Sequence, residues 1–170
     1  SMFLPKFGID YRITPEAMVY ATVAKGWRAG GVTPNVNAAT PIEDATYDAE
    51  TSWTYEVGAK TELFDKKLLL NVAGFYSVYD NFQTEIMTNP SVGGYLSNSG
   101  KAYISGVEIE AVGHIADSLT ATVNFGYLNA KYGDYKTYGA DYSGNNITAV
   151  PEFTLDANLQ YNFLDGFYVR

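Results

Sequence analysis

The connections between apolar-patterned runs alternate strictly between short and long. Side-chain alternation places strands near 7–13, 17–27, 53–63, 68–79, 103–115, 119–131 and 152–163, with a last one opening at Phe167. The joins at Thr14 and Pro15, at Phe64 to Lys66, at Ala116 to Ser118 and at Leu164 to Gly166 are tight. Those at 28–52, 80–102 and 132–151 are long and polar. Seven to eight strands joined in this way predict an all-β, antiparallel up-and-down meander, and the alternation of loop length predicts a segment of a transmembrane β-barrel.

The strands carry the second half of that argument. A tilted strand needs about 9–11 residues to cross a hydrocarbon core and alternates lipid-facing with lumen-facing side chains. Along 153–163 one face reads Phe153, Leu155, Ala157, Leu159, Tyr161 and Phe163, while the other reads Thr154, Asp156, Asn158, Gln160 and Asn162. Trp53, Tyr55, Val57, Ala59 and Leu63 likewise oppose Thr54, Glu56, Gly58, Lys60 and Glu62. A period of two sustained this long argues against helix. A soluble sandwich needs the same pattern, so the aromatic positions matter. Trp53, Tyr76, Tyr79, Tyr103, Tyr127 and Phe153 fall near the long-loop ends, and Leu63, Phe64, Ile115 and Phe163 near the tight turns. Two such bands suit two membrane interfaces. In the hairpin around Asp117, Ile115 is expected opposite Leu119, Glu110 opposite Asn124, Glu108 opposite Gly126 and Ile109 opposite Phe125, a register that keeps both faces pure.

Composition narrows the function classes. No run approaches the ~18 apolar residues of a membrane helix. The chain has no cysteine, which removes disulfides and thiolate sites. Its net charge of -8 argues against a nucleic-acid surface. Ser1 and Met2 open the chain without the basic and apolar regions of a secretory signal, and it stops at Arg170 as the eighth strand begins. A piece of a longer protein is therefore expected.

Several motifs then resemble one family. Tyr20 to Gly31 (YATVAKGWRAGG) is similar to the strand and loop opening of TonB-dependent receptors. Tyr55 to Lys60 (YEVGAK), followed by Asp65, Leu68, Leu70, Asn71, Phe75 and Tyr76, resembles their Tyr-Glu-aliphatic-Gly-x-Lys hairpin and returning strand. Asn98 to Ala102 with Gly106, Val107 and Glu108 resembles their Asn-small-Gly segment, and Gly144, Asn145, Val150 and Pro151 their approach to a later strand. Where the family commonly shows Pro-Glu before the hairpin, this chain has Ala49 and Glu50. No plug domain or TonB box is recognisable, so residues 1–170 are expected to be barrel alone. The resemblance implies a bacterial outer-membrane receptor that imports a large, scarce ligand, typically a ferric siderophore and in some members cobalamin or a glycan; a ferric siderophore is the expectation here. Its implied partners are the plug domain of the same full-length protein, the TonB system and outer-membrane lipid. Two alternatives stand beside it: a complete eight-stranded barrel serving as anchor or adhesin, and a soluble glycan-binding β-sandwich.

Candidate site residues are few. Trp27 and Arg28, among Gly26, Gly30 and Gly31 where a strand rises into a long loop, are the ligand-binding candidates. Arg can meet the negative groups of a chelate, and Trp can stack on flat rings. Glu56, Lys60, Glu62, Glu108 and Glu110 are expected to line the inner wall. Glu43, Asp44, Asp48 and Glu50 lack the order of a calcium loop and read as a solvated acidic loop. Glu108 and Glu110 would project carboxylates roughly 7 Å apart, but any polar strand face does so, and His114 is alone. No catalytic site, metal or cofactor is expected.

Overall fold

The computed structural model describes residues 2–33, 46–89, 93–137, 140–164 and 166–170. Eight strands form one open antiparallel sheet in sequence order: β1 (Lys6–Thr14), β2 (Ala17–Arg28), β5 (Glu50–Leu63), β6 (Leu68–Asp80), β9 (Lys101–Ala116), β10 (Leu119–Asp134), β13 (Phe153–Phe163) and β14 (Phe167–Val169). Three two-stranded hairpins decorate the long connections: β3 (Gly31–Val32) with β4 (Thr46–Tyr47), β7 (Gln83–Asn89) with β8 (Gly93–Asn98), and β11 (Lys136–Thr137) with β12 (Ala140–Asp141). β1 and β14 do not pair with each other, so these eight strands do not close a small barrel.

The alternation read from sequence divides the sheet cleanly. Phe7, Ile9 and Tyr11 on β1 continue through Val23, Tyr55, Tyr76, Val107, Phe125 and Leu155 as one outward face. No described residue covers that face: Leu155 is 73% exposed, Ile9 72% and Val57 63%. A sandwich would bury these positions against a second layer. The polar face is concave and encloses a trough of about 470 Å³.

β5, β9 and β10 are each three residues longer than the sequence suggested. β9 and β10 run for 16 residues each, about 50 Å at the usual rise, whereas 9–11 tilted residues cross a bilayer. Their upper ends therefore stand above the membrane and carry the loops. The expected pairs Glu110–Asn124, Glu108–Gly126 and Ile109–Phe125 are all present. Ile115 is not opposite Leu119, however. Leu119 pairs with Ala116 and Thr120 with His114, leaving Ile115 as the extra residue of a bulge. The bulge fits a two-residue turn onto the strands and keeps Leu119 on the outward face. The turn from β5 to β6 places three consecutive residues, Phe64, Asp65 and Lys66, at φ of 55°, 54° and 67°, a left-handed run that L side chains resist.

Candidate functional site

The inner wall is built in rows, because cross-strand partners share a height. One row reads Arg12, Met18, Lys60, Asn71, Glu110, Asn124, Asp156. Asn71 Nδ2 donates to Glu110 Oε2 at 2.8 Å and Asn124 Nδ2 to Asp156 Oδ1 at 3.4 Å. The next row toward the loops holds Asp10, Tyr20, Gly58, Ala73, Glu108, Gly126 and Thr154. In these two rows the basic groups Arg12 and Lys60 lie on β1 and β5 and three of the four carboxylates on β9 and β13, but Asp10 stands on β1, and Glu56 and Glu62 flank Lys60 on the inner face of β5. Lys60, Glu108, Glu110 and Asp156 are all exposed, so the wall is solvated and needs no buried charge. Among the described residues no cluster of His, Cys, Asp and Glu has the makings of a metal centre. His114 lies at the tight-turn end, its Nδ1 3.2 Å from Thr120 Oγ1.

At the loop end, residues from the 28–52 and 80–102 connections are tied together. Gln83 donates its backbone N–H to Glu50 Oε2 at 2.7 Å and its side-chain amide to the carbonyls of Ala29 and Asp48 at 2.9 and 3.1 Å. Asn98 accepts the Asp48 N–H at 2.6 Å and donates to the Asn81 carbonyl at 2.7 Å. Thr33 Oγ1 donates to the Leu96 carbonyl at 2.9 Å. Beside this knot an aromatic ladder climbs from Tyr79 through Phe82, Tyr132 and Tyr135 to Tyr142, with ring centroids 4.7 to 6.3 Å apart. It packs on Ala102, Ala130 and Ile147. Above it, two hydrogen bonds from Ser143 hold the exposed Asp141 carboxyl below its ordinary range.

Three sequence expectations change here. Glu50 is 9% exposed and hydrogen-bonded rather than part of a solvated loop; Glu43 and Asp44 lie outside the described residues. Tyr79 faces inward, because Tyr79 pairs with Ser52 and Ala102 on the polar face, and it joins the ladder instead of the membrane band. The loops contain paired strands where only polar connections were expected. Gln83 gave no sequence signal, since one glutamine in a loop is unremarkable until its partners, 33 to 54 residues away, are in place. The ladder had a faint one in the density of tyrosine at 132–142.

Trp27 and Arg28 are neighbours in sequence but not in space. Trp27 shares the face of Val23 and Lys25 and points outward, 45% exposed. Arg28 lies on the inner face directly opposite Glu50, is exposed, and has no ion pair among the described residues. The two do not converge on one ligand.

An open meander with an uncovered apolar face, a solvated polar face, tight turns at one end and a structured loop rim at the other defines a portion of an outer-membrane barrel wall. A family model described as TonB dependent receptor-like, beta-barrel, matches residues 1–170, and the chain belongs to that family of bacterial outer-membrane transport receptors. The metal-pseudopaline receptor CntO of Pseudomonas aeruginosa is 25% identical over 162 residues, covering 95% of this chain and 21% of that protein. The pesticin receptor of Yersinia pestis is 28% identical over 150 residues, covering 88% of this chain and 21% of that protein. The crystal structure of the ferric yersiniabactin uptake receptor FyuA from Yersinia pestis superposes with a TM-score of 0.71 at 27% identity, covering 92% of this chain and 22% of that one. The chain spans about a fifth of the length of the curated relatives it matches.

Proposed function

We propose that residues 1–170 form the wall and loop scaffold of a receptor that imports a ferric siderophore. In this reading the plug domain of the same full-length protein sits against the polar trough, and the TonB system acts through that domain to open a path. The observation that carries it is the similarity, along 92% of the chain, to a receptor described as taking up ferric yersiniabactin. The solvated, hydrogen-bonded inner wall supports a polar occupant of the lumen. Arg28, at the inner rim and without an ion pair among the described residues, is the side chain we assign to the anionic groups of the chelate; the outward parity of Trp27 leaves it to the lipid interface.

The similarity to a metal-pseudopaline receptor over 95% of the chain favours a second reading, in which the chelated metal is not iron. Both are tested by titrating the full-length receptor with ferric siderophore, with the same chelators loaded with a divalent metal, and with each metal alone. The expected result is binding of ferric chelate and none of the free metal. Arg28→Gln should weaken binding about tenfold or more, the loss typical of a charge-assisted hydrogen bond. Preference for the divalent-metal chelate would select the second reading. Failure of every chelate to bind would remove both.

A further inference from the structure

An acid, an acceptor and a cation meet at the inner rim without completing one another. Glu50 is buried, and its Oε2 accepts the Gln83 N–H at 2.7 Å; among the described residues no cation stands at ion-pair distance from it. Gln83 is 5% exposed. Its amide nitrogen donates to the carbonyls of Ala29 and Asp48, which fixes Oε1 as the acceptor, and that atom is buried with no hydrogen-bond partner among the described residues. Arg28 precedes Ala29 and is the direct partner of Glu50 across the β2–β5 ladder. Opposite residues on one face of a sheet hold their Cβ atoms about 4.5–5.5 Å apart. Yet the Arg28 side chain is exposed and unpaired among the described residues.

A buried carboxylate without a counter-charge and a buried acceptor without a donor both weaken the structure that holds them. A guanidinium answers both needs. Its planar fork of N–H donors can meet the remaining capacity of the Glu50 carboxylate and the Gln83 Oε1 together. Because Arg28 and Glu50 already face each other in register, carrying the charge from solvent to this seat takes side-chain rotation and no change of strand pairing.

We propose that Arg28 alternates between the exposed position, where it meets the anionic groups of the ligand, and a seat on Glu50 and Gln83, so that ligand and knot compete for one guanidinium. The competition rests on the assignment of Arg28 to the chelate and adds its regulation. Glu50 sets how much of Arg28 is free to bind. An anionic ligand that draws Arg28 out removes the counter-charge from the tie between the 28–52 and 80–102 connections. By linkage, whatever tightens the knot weakens the ligand, and the reverse.

The test uses the full-length receptor, with ferric tricatecholate as an anionic probe. In the ligand-free receptor Arg28→Gln should speed hydrogen exchange of the Gln83 amide about tenfold or more, the loss typical of a charge-assisted hydrogen bond. Saturating probe should do the same to the parent. Glu50→Gln keeps an acceptor for that N–H but removes the charge, and should tighten probe binding about fivefold, since apparent affinity follows the fraction of Arg28 that is free. In an Arg28→Gln background the same substitution should change affinity by about twofold or less. Equal tightening in both backgrounds would mean plain repulsion of the probe by Glu50 and would overturn the proposal. Unchanged Gln83 exchange in ligand-free Arg28→Gln receptor would overturn it too; weaker probe binding by that variant would then leave the chelate assignment standing. Faster exchange with undiminished probe binding would instead remove the chelate assignment, and the competition with it. If Glu50→Gln does not fold, Gln83 exchange in the parent with and without probe decides.

Discussion

The tight-turn half of the sheet and its loop rim are held together by different forces. Below the rim, side chains point either to the uncovered outward face or to a solvated wall, and the strands are joined by their backbone ladder and short turns. At the rim lie the buried hydrophobics Ala102, Ala130, Tyr132, Tyr135 and Ile147, with Glu50, Gln83 and Ser99 buried among loop backbones. A wall whose outward face meets lipid can be uniform in sequence, because every residue answers to its own side of the sheet. The rim stands in water and must bury surface against itself, so it behaves as a small soluble domain mounted on a membrane wall.

This contrast is broken most sharply at Tyr132, which is 6% exposed and contacts the rings of Phe82 and Tyr135. Tyr132→Ala should cost the rim about 3–5 kcal/mol. In hydrogen exchange on the full-length receptor, amides of Gln83, Tyr135 and Ile147 should lose protection while those of Val57 and Val123 keep theirs. Equal loss at both ends would show that wall and rim are one cooperative unit. The reverse experiment is Val57→Arg on the outward face near mid-membrane, expected to cost about 2–4 kcal/mol in denaturant unfolding from vesicles without exposing the rim. Gln83→Leu removes the amide from the Ala29 carbonyl, while the Asp48 carbonyl keeps the Asn98 amide at 3.2 Å. About 1–3 kcal/mol of rim stability should go, read as faster proteolysis of the 28–50 connection. The smallest effect belongs to the turn at φ 54°: Asp65→Gly relieves left-handed strain and should raise the urea midpoint of the whole barrel by the equivalent of about 1 kcal/mol or less.

The wall was legible in the sequence because its rule is local. Phe153 to Phe163 needs only its own alternation to declare strand, face and length. The register around Asp117 was legible from face purity as far as Glu108, but the Ile115 bulge was not, since a single extra residue at a turn leaves the alternation on either side intact. The rim was largely illegible for the opposite reason. Glu50 and Gln83 take their character from each other across 33 residues, and Tyr79 faces inward although its neighbours in the aromatic count face out. The separation of Trp27 from Arg28 was readable: carrying the parity of Val23 four residues further assigns Trp27 to the outward side. Motif spacing obscured this by presenting the pair as one unit.

Two ring-over-glycine contacts on the inner wall bear on how such a sheet finds its alignment. Tyr20 lies over Gly58, where a Cβ would stand 2.5 Å from the ring, and Phe75 lies over Gly106, where it would stand 2.7 Å away. A strand displaced by one residue mixes its faces and is rejected by solvent. A strand displaced by two keeps every apolar residue outward and every polar residue inward, so lipid and water cannot tell it from the correct one. In that shifted sheet Tyr20 meets Glu56 or Lys60, and Phe75 meets Ile104 or Glu108, with no vacancy for the ring. The glycine seats therefore act as a vernier on the polar pattern, resolving the even-numbered misalignments to which hydrophobicity is blind. A barrel lacking them should insert readily and then sort slowly among near-equal alignments.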